Sequence, residues 1–188
     1  NTLLWRMNSW RMESEVVRDS LLAVAGLLDL TQGGIELDNT QALITHRRTL
    51  YYSSYPESGG KSALGELFDA PDPLDCYRRV STIVPQQALA LTNSDLVRQS
   101  SVAIVKAWQA SSGAATDDSP DASDRFIDDL FAQVLSRSPS DEERCICRET
   151  LDRQRQLAVD PQAPTAITQA RESLARILFN HNDFVTVR

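Results

Sequence analysis

Apolar residues that recur at helical spacing are the feature that most constrains the fold of this chain. One such stripe near the start predicts a long helix from about Ser9 to Leu28. The stripe occupies positions i, i+4, i+7 and i+11, and its members are Val17, Leu21, Val24 and Leu28. Further stripes predict a central helix pair that ends near Ala110 and a three-helix unit in the last third of the chain. The expected fold class is therefore all-α, an irregular multi-helix bundle with long loops and little or no β structure.

Two segments interrupt the helical pattern. Residues 35–61 form an irregular arm without periodicity, and loops of that length inside a compact domain are often functional or mobile. Residues 111–123, SSGAATDDSPDAS, have the small, polar and acidic composition of a linker. We therefore divide the chain into an N-terminal helical part with the arm (1–110), an acidic linker (111–123) and a C-terminal three-helix unit (124–188). We expect the last unit to pack on the same core, and a capping box at Ser140 and Glu143 to start one of its helices.

Composition and charge exclude several classes of function. The 26 acidic residues outnumber the 19 basic ones, giving a net charge of −7, whereas nucleic-acid binding needs clustered Lys and Arg. The longest apolar stretch, Leu21 to Leu30, is far shorter than the ~20 residues of a membrane span. The three cysteines and two separated histidines match neither a disulfide framework nor a zinc site, and no Cys-x-x-Cys-His motif occurs. We expect no nucleic acid, membrane span, metal or cofactor in this chain.

A charged cluster at the start of the first helix is the richest candidate site. It contains Arg11, Glu13, Glu15 and Arg18, with Asp19 beside them. Paired carboxylates at controlled separation can act as acid and base on a glycoside. Charges of alternating sign at helical spacing more often form a solvated, salt-bridged face. Both interpretations are open at this stage.

Two arginine pairs are further candidates. Arg47 and Arg48, with Tyr51 nearby, can bind an anion or a sugar face through forked hydrogen bonds and aromatic stacking. Alternatively, these arginines tie the irregular arm to the core. The second pair is Arg78 and Arg79, and a buried arginine there is expected to bind one of Asp69, Asp72 or Asp75. No nucleophile elbow Gly-x-Ser-x-Gly occurs, so we assign no catalytic residue.

Several ordered motifs carry a family resemblance. They are Leu3-Leu4-Trp5-Arg6-Met7-Asn8, Arg47-Arg48-Thr49-Leu50-Tyr51, Phe68-Asp69-Ala70-Pro71-Asp72-Pro73, Thr82-Ile83-Val84-Pro85-Gln86-Gln87 and the closing Leu178-Phe179-Asn180. With them the chain resembles the C-terminal domain of unknown function (the fifteen-fifty-three family) of planctomycete-type exported proteins, which often carry cytochrome-c-like modules. The resemblance implies the later section of that domain, a periplasmic or secreted location, and haem c only elsewhere in the parent protein. It implies no established reaction.

Two hypotheses for function follow. The first is a non-catalytic helical structural or interaction module that binds other domains of its parent protein or an envelope protein. It predicts an apolar patch on the first helix. The second is part of a carbohydrate-active or redox-linked envelope enzyme that takes carbohydrate as ligand. Its site would lie where residues 47–52 meet Glu13, Glu15 and Asp69.

Overall fold

Helices dominate the computed structural model, which describes residues 3, 8–55, 57, 60–75, 81–113, 117 and 119–187. The seven α-helices in these ranges are α1 (Ser14–Val24), α2 (Ala63–Leu67), α3 (Pro85–Asn93), α4 (Asp95–Ser112), α5 (Pro120–Leu135), α6 (Asp141–Gln156) and α7 (Pro164–Phe179). Two 3-10 turns cover Asn39–Leu43 and Thr49–Tyr51. Strands β1 (Trp10–Arg11) and β2 (Thr186–Val187) form an antiparallel ribbon, with Trp10 opposite Val187. The predicted all-α class is confirmed, and this ribbon is its small β component.

Helix α1 is shorter than predicted at both ends. Upstream, Trp10 and Arg11 pair with the tail of the chain, and the Met12 N–H donates to the Val185 carbonyl at 2.8 Å. Downstream, Gly26 has a φ of +69°, a left-handed conformation that ends helices and favours glycine. The prediction of a helix from Ser9 to Leu28 was therefore wrong at both ends.

The later helices follow the sequence pattern closely because their N-termini carry strong capping signals. Ser140 and Glu143 form the predicted capping box, with the Glu143 N–H 3.2 Å from Ser140 Oγ and the Ser140 N–H 2.8 Å from Glu143 Oε2. Ser119 caps α5, and its Oγ accepts the Ala122 N–H at 3.2 Å. Because proline fits the first helical position, α5 begins at Pro120, inside the stretch that composition assigned to the linker.

Helix α7 lies at the centre of the helical packing and contacts α3, α4, α5 and α6. Edge-to-face ring pairs join the layers, with centroids 5.0 Å apart for Trp108 and Phe126 and 5.1 Å apart for Phe179 and Phe184. The core cluster draws on elements along the described chain, including Leu21, Leu64, Ile104, Leu130, Leu151, Leu174 and Phe184. This core supports the irregular segment that follows α1.

Candidate functional site

Arg18 anchors the stretch of chain that follows α1. Its side chain is 1% exposed, and its guanidinium donates to the carbonyls of Ala42 (2.9 Å), Thr45 (2.7 Å) and Arg47 (2.8 Å). The same guanidinium lies 4.8 Å from the centre of the Tyr52 ring. Five N–H donors in a planar fork allow one arginine to bind several carbonyls at once. Arg18 is therefore a buried anchor that holds distant backbone against α1.

Asp19 adds a second attachment at the same place. Its Oδ1 accepts the backbone N–H of Thr49 at 2.9 Å and the Thr49 hydroxyl at 2.6 Å. Its Oδ2 lies 3.7 Å from Nε of Arg48, whose side chain is half exposed. Exposed ion pairs contribute little free energy, so the two bonds to Thr49 are the stronger attachment.

Arg47 binds the loop immediately after α1. Its Nη2 donates to the Thr31 carbonyl at 2.8 Å and to the Gly33 carbonyl at 2.7 Å. Its guanidinium carbon is 4.0 Å from the centre of the Tyr51 ring, and the Tyr51 hydroxyl accepts the Gly33 N–H at 3.1 Å. Arg47 and Tyr51 thus bind backbone groups of the irregular stretch itself, and hold that stretch in place.

Residues 29–53, here called the tethered segment, are held by paired polar groups although they contain only short turns. Asp29 and Asp38 each accept the hydroxyl and the backbone N–H of the Thr two positions later. The hydroxyl bond, followed by the backbone bond, lowers the pKa of both carboxyls. The Leu37 N–H donates to the Tyr51 carbonyl at 2.8 Å, which joins the two halves of the segment.

The tethered segment presents large aliphatic side chains to solvent. They are Leu30 (69% exposed), Ile35 (85%), Ile44 (75%) and Leu50 (61%). Single exposed apolar residues are common on protein surfaces, but these four lie within one 25-residue segment whose regular structure is limited to two 3-10 turns. Because the backbone is held by Arg18, Asp19 and Arg47, these side chains are displayed on an ordered surface.

A cavity of about 120 Å³ lies between α1, the tethered segment and α2. Two of the predicted candidates, Glu15 and Arg18, line it together with Lys61 and Ser62. Its other walls are provided by Ser14, Asn39, Ala42, Thr49, Leu50, Tyr52, Ser53, Ser54, Leu64, Gly65, Ala70 and Pro71. The cavity therefore combines charged and hydroxyl groups with an apolar floor.

A larger depression of about 260 Å³, here called the outer groove, gathers three more candidates. Arg11, Glu13 and Asp69 line it with Trp10, Met12, Phe68, Ser81 and Gln87. The Arg11 guanidinium carbon lies 5.6 Å from the centre of the Phe68 ring. Asp69 has a φ of +58°, which is uncommon outside glycine, and its carboxylate accepts the Thr82 N–H at 2.7 Å. Asp69 is thereby committed to holding the chain at residue 82.

The remaining candidates lie apart from these two pockets. Asp72 is exposed and accepts the N–H of Leu74 at 2.9 Å, which is a local turn. Arg79 lies outside the described residues, and so does its expected pairing with Asp69 or Asp72. The predicted cluster is thus divided between the tethered segment, the cavity and the outer groove.

The described residues provide no cluster of metal-binding side chains. Across these ranges, no set of three or more His, Cys, Asp or Glu side chains is arranged to hold a metal ion. The His181 Nδ1 accepts the backbone N–H of Asp183 at 3.1 Å, and Cys147 is buried, which raises the pKa of its thiol to about 11. None of the described helices has the length and apolar character that crossing a bilayer requires.

Lys61 and Ser62 are polar residues of the cavity that were not among the candidates predicted from the sequence. Ser62 precedes a short apolar run, as N-cap residues do, and its Oγ accepts the Gly65 N–H at 3.1 Å. Lys61 is one of only two lysines in the chain. Neither feature indicates a cavity, since its opposite walls come from parts of the chain without a shared pattern.

Fold and site together define a helical domain with a tethered irregular segment above a small cavity. The chain belongs to the family described as "Protein of unknown function (DUF1553)", whose model, PSD1, matches residues 1–151. The family indicated by the motifs is confirmed, although the closing motif at Leu178-Phe179-Asn180 lies outside the matched residues. No curated protein and no solved structure matches the chain.

Proposed function

We propose that this chain is a non-catalytic interaction module whose tethered segment binds another domain of the protein to which it belongs. The supporting observation is the display of four exposed aliphatic side chains on a segment that Arg18, Asp19 and Arg47 hold in place. Loops that a rigid scaffold positions are frequent binding elements. A surface ordered before binding also loses less conformational entropy when a partner covers it.

The apolar surface lies on a different element from the one expected. The first hypothesis placed it on the first helix, but Val16, at 42%, is the only large apolar residue exposed on α1. The reason is that the other large apolar residues of α1 belong to the hydrophobic core or pack against it. The partner surface in the proposal is therefore the tethered segment.

Hydroxyl-radical footprinting of the isolated chain and of the full product of its gene tests this proposal. We expect Ile35 and Ile44 to be oxidised several-fold more slowly in the full product, because a partner domain covers them. Leu157, which is 74% exposed at the end of α6, is the internal control and should keep its rate. Equal oxidation of Ile44 in both samples would contradict the proposal.

A matched pair of variants separates binding from folding. Ile44→Ser and Leu157→Ser remove equally exposed aliphatic side chains, at 75% and 74%, so neither should change the melting temperature appreciably. Ile44→Ser should weaken association with the separately produced remainder of the protein by roughly tenfold, as expected for losing one large buried side chain. Leu157→Ser should leave that association unchanged. Identical affinities for the two variants would contradict the proposal that the tethered segment binds the partner domain.

A second candidate is carbohydrate binding in the outer groove, as part of a carbohydrate-active or redox-linked envelope enzyme. It is favoured by Trp10, which is 67% exposed beside the charged side chains of Arg11, Glu13 and Asp69. Aromatic faces stack on sugar rings, and charged groups bind their hydroxyls. Binding to a glycan panel that Trp10→Ala abolishes would support this candidate, and no binding to any glycan would exclude it.

We also propose a periplasmic or secreted location, and association with planctomycete-type proteins that carry haem c elsewhere. This part rests on the family resemblance alone. Fractionation of the native cells with an antibody to the chain tests the location. Recovery in the cytosolic fraction would overturn it.

A further inference from the structure

The cavity between α1, α2 and the tethered segment contains a cation with spare hydrogen-bond donors. The Lys61 Nζ donates to the Ala70 carbonyl at 3.2 Å, and an ammonium group has three N–H bonds. Within the described ranges, no carboxylate lies at ion-pair distance from Lys61. A charge that lines a partly enclosed space without an anionic partner favours an anionic ligand.

Ser62 supplies a second donor to the same space. Its Oγ accepts the Gly65 N–H at 3.1 Å, and the structure gives its own O–H no acceptor among the described residues. Gly65 lies beside Ser62 and lines the same cavity. A Cβ on Gly65 would lie 3.0 Å from Ser62 Oγ, 3.2 Å from the Ala70 Cβ and 4.0 Å from the Lys61 Cβ. The absent side chain therefore leaves open the part of the cavity beside the Ser62 hydroxyl.

The rest of the cavity limits the size and charge of a ligand. Ala42 and Leu64 are 1% and 4% exposed, so the floor is apolar. Glu15 places a carboxylate on the wall, which disfavours a ligand with two negative charges. The volume of about 120 Å³ holds several waters or a small organic molecule.

We infer that the cavity binds a small monocarboxylate. Its carboxylate oxygens accept hydrogen bonds from Lys61 and Ser62, while its short alkyl chain packs on Ala42 and Leu64. The two surfaces share Leu50 but are otherwise formed by different residues. Ile44 tests the proposed function and Lys61 tests this site, so either can fail without the other.

Lysine acetylation followed by peptide mass spectrometry tests the site directly, because Lys61 and Lys106 are the only lysines. Acetate, propionate and butyrate are the probes, and phosphate is the dianion control. We expect the carboxylates to slow acetylation of Lys61 several-fold and to leave exposed Lys106 unchanged. The concentration needed should fall about fourfold for each added methylene, because each buried CH2 adds transfer free energy. Equal protection of both lysines, or equal protection by phosphate, would overturn the inference.

Two variants complete the test by titration calorimetry. Lys61→Met should weaken butyrate binding by about tenfold or more, whereas Lys106→Met should not change it. Gly65→Ala places a methyl group 3.0 Å from Ser62 Oγ and 3.2 Å from the Ala70 Cβ, which fills the space beside Ser62, so it should abolish binding. Circular dichroism checks folding. Butyrate binding that survives both Lys61→Met and Gly65→Ala, or its absence from the unsubstituted chain, refutes the inference.

Discussion

Replacing Arg18 by Met is the sharpest test of how the tethered segment is held. Methionine fills a comparable volume without any N–H donor, so the carbonyls of Ala42, Thr45 and Arg47 lose their bonds to Arg18. The carbonyl of Ala42 belongs to a residue that is 1% exposed, and water cannot easily replace the lost donor. The other two residues are half-buried, so small movements can rehydrate them.

The size of the effect follows from these three acceptors. A buried polar group left without a partner costs about 1–3 kcal/mol, and each bond that can be rehydrated costs about 0.5–1.5 kcal/mol. We therefore expect a loss of about 3 kcal/mol of unfolding free energy. For a domain of this size each kcal/mol shifts the melting temperature by about 2–4 °C, so the decrease should be roughly 6–12 °C.

Hydrogen exchange shows where that free energy is lost. The Leu37 and Ser53 amides, which donate to carbonyls within the segment, should exchange roughly a hundredfold faster in Arg18→Met. Arg98→Met is the control, because Arg98 is 60% exposed and, among the described residues, pairs only with Asp95 at 3.2 Å. It should change stability by less than about 0.5 kcal/mol. Indistinguishable melting temperatures for the two variants, or unchanged segment amides, would refute the anchoring role of Arg18.

Three further predictions concern α6. Hydrogen bonds from Arg137, with further bonds from Ser140, lower the pKa of Glu143 to about 2 from its ordinary 4.5. The stabilisation by ionised Glu143 is therefore complete above about pH 5 and is lost towards pH 2. The difference in melting temperature between the unsubstituted chain and Glu143→Gln should therefore shrink as the pH falls over that range. A difference that stays constant would contradict this prediction. Iodoacetamide should alkylate exposed Cys145 well before buried Cys147, whose pKa is raised to about 11 by desolvation; equal rates by peptide mass spectrometry would argue against this. Ser140→Ala should cost about 1 kcal/mol, seen as a 2–4 °C lower melting temperature, and no change would mean that the cap is dispensable.

The parts of the fold that sequence predicted are those set by neighbours along the chain. Helices α4 to α7 follow from apolar stripes, and the first three of them also from serine caps such as Ser140, because both signals act within a few residues. The same local signals predicted a first helix that is too long. Trp10 pairs with Val187, which lies at the far end of the sequence, and no local pattern indicates that pairing.

In the candidate site, too, residue types could be recognised from the sequence whereas contacts between distant residues could not. Arg18, Arg47 and Tyr51 were identified as unusual from their residue types, and the tethering interpretation was one of the alternatives. Which groups they bind could not be predicted, because their acceptors are mostly backbone carbonyls, which every residue has. Lys61 was missed for a related reason, since its role depends on walls that meet only in the folded chain.

By itself, the sequence determined an acidic, mainly helical chain, since composition and helical period are local properties. Its ordered motifs, and not these properties, indicated the DUF1553 family. The tertiary structure alone decided that α1 stops early, that residues 29–53 are held by a buried arginine, and that a cavity remains beneath them. These features depend on contacts between distant parts of the chain. Their geometry exists only once the core has brought those parts together.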